Sequence, residues 1–438
     1  MENKLNLSDD FSRREFVEKL AYSLLGVTAL SQTTFADDIP STHFGKAKRM
    51  IIISLNGGAS HIDTFDPKDN PNVNGGVNPI PTTGGFTISK YFPQLAQHGN
   101  KFSVIRGMTT KSGAHEPASY IMKTSFMKNS LTVHPSVASI IYALKGAQHG
   151  TIPDNILITP DSNHPKAGYL DKKFSPLIIV NPLEGLRYSK ISVDNAKFSK
   201  RLEILKAFDD NFQNKYENEA TKEYSIIYNE TLKLLSSKDL DLFDLNKEDA
   251  ATRERYGKSS FGSGVLLAKR LIKNGVRAVE VGSSSWDFHN DIQTAMENKS
   301  KDVDQALAAL FDDLSKEGLL KDTLVVVTTE FGRTGSYSKD GKALTDANNA
   351  NPYNVNSGRD HQATAFSCMI GGMDIAGKVI GKTNDLGNKV IERPVSVGEF
   401  NATVGHLFGI KHDYVWHSPT NRPFTIGNKE KPIIELIS

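Results

Sequence analysis

Five short stretches of this 438-residue chain gather side chains able to bind a metal or move a proton. They are Asn56, His61, Asp63 and Asp66; then Ser112, His115 and Glu116, with Pro117 placed to open a helix; then Trp286, Asp287, His289 and Asp291; then Glu330 and Arg333; and finally Arg359, Asp360 and His361. Carboxylates and imidazoles drawn from separated segments are the donor set of an N/O site for zinc, manganese or iron. The single cysteine, Cys368, excludes an internal disulfide framework, a Cys-ligated zinc site and an iron–sulfur cluster, each of which needs several sulfurs. With 52 Lys and Arg against 50 Asp and Glu, the net charge of +2 supplies no basic field of the kind that displaces counterions from a phosphate backbone, which sets nucleic-acid partners aside.

What positions these clusters is a series of short apolar runs. Arg49 to Leu55 reads R-M-I-I-I-S-L and ends in Asn56-Gly57-Gly58, the pattern of a strand buried on both faces that opens into a glycine loop. Similar runs lie at Phe102 to Ile105, Ile156 to Ile158, Leu177 to Val180, Ala278 to Val281, Leu324 to Thr328 and Ala365 to Ile370. Between them Val303, Leu307, Leu310, Phe311 and Leu314 recur at helical spacing before Gly318, and Val265 to Ile272 precede Gly275 in the same way. The alternation predicts an α/β fold, doubly wound around a mostly parallel sheet. In such sheets ligands bind beyond the carboxyl ends of the strands, and four of the five clusters directly follow a strand run. The charged, helical stretch from about 193 to 256 reads as an insertion in a single domain spanning 37–438, and Thr334 to Ser357 as a long irregular loop.

Several strings carry a family resemblance: N-G-G-A-S-H-I-D-T-F-D-P-K at Asn56 to Lys68, Y-G-x-x-x-F-G at Tyr256 to Gly262, G-V-R-A-V-E-V at Gly275 to Val281, W-D-F-H at Trp286 to His289, T-E-F-G-R-T at Thr329 to Thr334 and G-R-D-H at Gly358 to His361. In order and spacing they resemble the exported bacterial family called domain of unknown function 1501, over nearly the whole chain. The resemblance implies kinship with alkaline phosphatases and sulfatases, hence a sheet of alkaline phosphatase-like type with a metal site at the strand ends. Against that superfamily pattern, Asn56 stands where a first Asp ligand would be and Glu330-Phe331 where an Asp-His pair would be. One of the two usual metal sites is thus degraded. The other retains Asp287, then His289 or Asp291, and His361, with Asp360 as ligand or supporting group and Glu330 as a further donor, enough for one divalent zinc, manganese or iron ion. The nucleophile position falls near His115-Glu116-Pro117, where no hydroxyl or thiol is clearly indicated. His115 is expected to transfer a proton and Arg333 to steady the reacting anion, while Asn56, Ser112 and Arg359 are the expected anion contacts. The implied activity is hydrolysis of a phosphate or sulfate ester, the partner being an anionic small molecule or glycan ester. The alternative is an exported binding protein that keeps the fold without turnover.

The first residues read as an address. Ser12-Arg13-Arg14-Glu15-Phe16 is a twin-arginine pattern, followed by the apolar run Leu20 to Leu30 and small residues suited to cleavage after Ala36. The run is too short to span a bilayer comfortably, so the mature chain is expected in the periplasm or outside the cell, with the Tat translocon as a transient partner and no stable membrane span. Intact mass spectrometry of the secreted protein should show a chain beginning at or near Asp37; retention of Met1, or failure to depend on the twin-arginine pathway, would contradict the assignment.

Overall fold

The computed structural model describes residues 41–74, 77–187, 219–335 and 358–438, with a few helical positions between 197 and 205. The proposed leader at 1–36, the loop at 336–357 and most of the first half of the proposed insertion lie outside the described residues. Nine strands form the main sheet: β1 (Arg49–Leu55), β2 (Phe102–Thr109), β3 (Asn155–Ile158), β4 (Leu177–Ile179), β5 (Ala278–Ser283), β6 (Thr323–Thr328), β7 (Phe366–Gly371), β8 (Val379–Ile380) and β9 (Val395–Ser396). The order across the sheet is β8-β2-β7-β6-β1-β5-β3-β4, with β9 also on β2. β1 is central, pairing in parallel with β5 from Met50↔Ala278 to Leu55↔Ser283 and with β6 from Arg49↔Thr323 to Ser54↔Thr328. β7 is the exception, running antiparallel to both β2 and β6. Its first residue therefore lies at the end where its neighbours finish, so Asp360 and His361 enter that end from upstream of a strand.

Residue alternation along β1 explains the layers. Ile51, Ile53 and Leu55 share a core with Val279, Val281, Val325 and Val327 and with the apolar stripes of α5 (Ser260–Lys273) and α6 (Ile292–Lys316). Met50, Ile52 and Ser54 face the opposite side, toward Met122 of α1 (His115–Thr124), Val137 and Ala138 of α2 (Val137–Lys145) and Phe400 and Val404 of α7 (Val397–Leu407). Helices thus cover both faces, the doubly wound arrangement. The described part of the stretch ending at 256 is helical, with α3 (Glu219–Leu235), two short 3₁₀ turns and α4 (Ala250–Tyr256). No helix among the described residues is long and apolar enough to cross a membrane.

The second face holds a charge that the apolar pattern hides. Glu280, in the middle of β5, accepts from Ser54 Oγ at 2.8 Å and Lys123 Nζ at 2.9 Å, and its other oxygen lies 3.2 Å from His164 Nε2. Burial alone would strip these groups of charge, but the ammonium and imidazole beside Glu280 hold its carboxyl well below the usual range, and Glu280 in turn raises Lys123. The pair ties α1 to the sheet. Glu280→Ala should leave Lys123 buried without a counter-ion and cost about 3–5 kcal/mol of unfolding free energy, whereas Lys123→Met combined with Glu280→Leu should cost much less. Urea denaturation of the three proteins checks this, and equal losses in the single and double variants would disprove it.

Candidate metal centre

The centre forms where β1, β5 and β6 end side by side. After β1 the chain turns through Gly57 (φ +117°) and Gly58 (φ +69°), left-handed conformations that favour glycine. A Cβ on Gly57 would lie 2.7 Å from the Trp286 nitrogen, and one on Gly58 would penetrate the Phe331 ring, so the loop lies flat on the segments that follow β5 and β6. Asn56 joins the same seam through its backbone, donating to Ser283 O and accepting from Trp286 N. Trp286 is fully buried, with its indole N–H on Ser283 Oγ at 3.0 Å, and fixes where Asp287 leaves the sheet.

Asp287 is the hub. Its Oδ1 lies 3.0 Å from His289 Nε2 and 3.2 Å from His361 Nε2, and those two nitrogens are 3.1 Å apart. Donors bound to one tetrahedral zinc at 2.0–2.1 Å stand about 3.3 Å from each other, so this triangle has the dimensions of a shared ligand set. His361 Nδ1 lies 2.7 Å from the Gly113 carbonyl, which can only accept, so that nitrogen carries a proton, and in the neutral ring the lone pair on Nε2 is left facing the Asp287 side. Asp360 Oδ1 caps the His361 N–H at 2.8 Å and lies 3.9 Å from His289 Nδ1, beyond hydrogen-bond distance. Burial works against ionisation of Asp287, but the Arg333 hydrogen bond and charge, then His361 and His115, hold its carboxyl down to about 2. The carboxylate is charged at any physiological pH.

His115 begins α1. Its Nδ1 lies 2.9 Å from Glu330 Oε1, the bond that raises its pKa, while Nε2 faces Asp287 Oδ2 at 3.3 Å. Phe331, fully buried, forms the floor, its ring centroid 4.6 Å from that of His361 and 4.9 Å from that of His115. Below the site His61 is buried and neutral, its pKa lowered to about 4 chiefly by desolvation, with Nε2 on Gly387 O at 2.6 Å.

Several expected roles are corrected. Arg333 was expected to grip an anion, but it is 1% exposed and its five N–H groups go to Gly58 O, Gly57 O, Arg359 O, His289 and Asp287. It is a positioning residue for Asp287. Arg359, expected to contact an anion, is likewise 1% exposed, with its N–H groups spent on both oxygens of Asp63 and on the carbonyls of Thr334, Gly335 and Val73. Glu330, expected as a metal donor, instead accepts from the Gly57 N–H at 2.8 Å and from His115, so it is a support for the imidazole. Ser112 Oγ caps the Ala114 N–H of its own loop at 3.1 Å. Asp291, left open as an alternative to His289, is the residue before α6, and His289 takes the place beside Asp287. The supporting roles of Gly113 and Asp63 were not foreseen, since a carbonyl leaves no trace in residue type and Asp63 differs from other acidic loop residues only in its partner.

Because Arg333 serves three buried carbonyls, and each buried acceptor left without a donor costs about 1–3 kcal/mol, Arg333→Ala is expected to lower unfolding stability by about 3 kcal/mol or more. The Asp287 carboxyl should move up toward the ordinary value of about 3.9, so its charge is lost at higher pH than in the parent. Carboxyl titration by NMR and urea denaturation measure the two effects; an unchanged Asp287 titration would remove Arg333 from this role.

The family model described as protein of unknown function (DUF1501) matches residues 47–437. No match is found among curated proteins. Among solved structures, the chain is similar to the lipoteichoic acid synthase LtaP from Listeria monocytogenes, with 10% identity, a TM-score of 0.40 and coverage of 90% of this chain and 78% of that one. A protein in the alkaline phosphatase superfamily from Vibrio parahaemolyticus shares 13% identity over 87% of this chain and 72% of its own, with a TM-score of 0.37. The PsFucS1 sulfatase from Pseudoalteromonas sp. shares 10% identity over 89% of this chain and 72% of its own, also with a TM-score of 0.37.

Proposed function

The chain belongs to the DUF1501 family, and from the geometry of its site we propose that it is an exported hydrolase of anionic esters that uses one divalent metal ion. The observation that carries this reading is the triangle of Asp287 Oδ1, His289 Nε2 and His361 Nε2, with mutual separations of 3.0–3.2 Å. These residues would hold zinc, manganese or iron. When bound, the ion polarises an ester oxygen or makes water a nucleophile at neutral pH. Arg333 keeps Asp287 ionised and aimed; Gly113 O fixes the tautomer of His361; the Phe331 ring shields the floor of the site from water. The first turn of α1 presents backbone N–H groups of the kind that favour an anion. Export rests on the twin-arginine leader alone.

A non-catalytic binding role is favoured by one contrary observation: both arginines at the site are fully engaged by protein acceptors, and His115 has no hydroxyl partner among the described residues. Two measurements separate the readings. Elemental analysis of the purified exported chain should find about one ion per chain in the parent and little in Asp287→Ala or His361→Ala. Aryl phosphate or sulfate esters should then be hydrolysed slowly, with turnover lost on chelation, restored by metal and abolished in His361→Ala. Bound metal without turnover would favour the binding role; turnover that survives both chelation and His361→Ala would overturn the metal mechanism.

A further inference from the structure

His115 was expected to carry a proton, and its surroundings argue for another task. A proton carrier needs its working nitrogen open to substrate or water. His115 Nε2 is covered and lacks a hydrogen-bond partner, although the side chain as a whole is 38% exposed. Its tautomer is set from the other side. Glu330 is buried and pinned by the Gly57 N–H at 2.8 Å, so Oε1 accepts from Nδ1 at 2.9 Å and leaves the lone pair on Nε2. That lone pair points at Asp287 Oδ2, 3.3 Å away. Two acceptors at this distance repel unless a positive charge, a proton or a metal ion, lies between them.

His361 shows the same construction: Nδ1 on a fixed acceptor, Nε2 facing the other oxygen of Asp287 at 3.2 Å. The two rings are 4.5 Å apart at their centroids, and His115, Asp287 and His361 each bring a ligand atom within 4.8 Å of the others. We propose that His115 is a fourth protein donor to the ion held by Asp287, His289 and His361, with Glu330 as the carboxylate that fixes its imidazole, giving a centre of three imidazoles and one carboxylate. This rests on the metal-site reading above and assigns His115 to holding the ion.

Cobalt(II) added to the full exported chain is the probe, with affinity measured by chelator competition and the site followed by visible absorption. His115→Ala should weaken cobalt binding by at least about 10-fold and change the visible band, and Glu330→Gln should weaken it by about 10-fold or more, as loss of a carboxylate behind a ligating histidine does. His115→Cys gives a positive signature, a thiolate-to-cobalt charge-transfer band in the near ultraviolet that the parent lacks. Far-UV circular dichroism confirms that each variant is folded. If His115→Ala binds cobalt as tightly as the parent, with the same spectrum, while His361→Ala does not bind it, His115 is not a ligand and this proposal alone falls. If the parent binds no cobalt, the metal-site reading falls and takes this proposal with it.

Discussion

One buried guanidinium holds the site together. Arg333 lies at the meeting point of four segments: the glycine loop after β1, the turn carrying Asp287 and His289 after β5, its own strand-like stretch after β6, and the residues leading to His361. The other three segments supply its acceptors: the carbonyls of Gly57 and Gly58, the Asp287 carboxylate, and the Arg359 carbonyl. The planar five-donor fork explains why arginine stands here, since lysine offers three donors from a single point. The left-handed backbone at Gly57 and Gly58 belongs to the same constraint, because it lets both carbonyls of the loop turn inward to meet the guanidinium. Arg359 repeats the device below, binding Asp63 to three further carbonyls.

The arrangement sorts the charged residues into two kinds. Arg333, Arg359, Asp63 and Glu330 are consumed in making the loops rigid, while His115, Asp287 and His361 bring donor atoms within 4.8 Å of one another, and His289 stands beside Asp287 and His361. With both arginines spent on protein acceptors, the guanidinium of Arg333 acts on the site only through the carboxylate it steadies. Beneath α1 the pair Lys123 and Glu280 fixes the helix that carries His115, so a charge buried in the sheet and an imidazole at its edge are mechanically linked through one helix.

Much of this was legible in the sequence, for identifiable reasons. A strand buried on both faces reads as an unbroken apolar run, and all seven runs became strands of the main sheet. Polar residues just beyond the ends of parallel strands share one edge, which brings Asp287 and His289 beside Asn56 and Glu330, whereas His361 reaches that edge from the start of the reversed β7. The roles of Arg333, Arg359 and Glu330 were misread because residue type and position say nothing of where each N–H or oxygen is directed. Glu280 gave a faint signal, a carboxylate within V-E-V, whose partners Lys123 and His164 arrive from distant segments. The reversed direction of β7 was invisible for a similar reason: an apolar run has no polarity, and only its neighbours in space define it.

The central place of β1 has a cost in time. The first strand of the sheet finds no partner until Ala278 has been made, and its second neighbour begins only at Thr323. During synthesis the segment Met-Ile-Ile-Ile at 50–53 must therefore wait as an unpaired apolar stretch, the kind that recruits other chains into intermolecular sheets. Closing so distant a pairing is entropically expensive and slow. Folding of this protein is consequently a late, nearly whole-chain event, and the cluster of Asp287, His289 and His361, which depends on β1, β5 and β6 lying side by side, is among the last features to form.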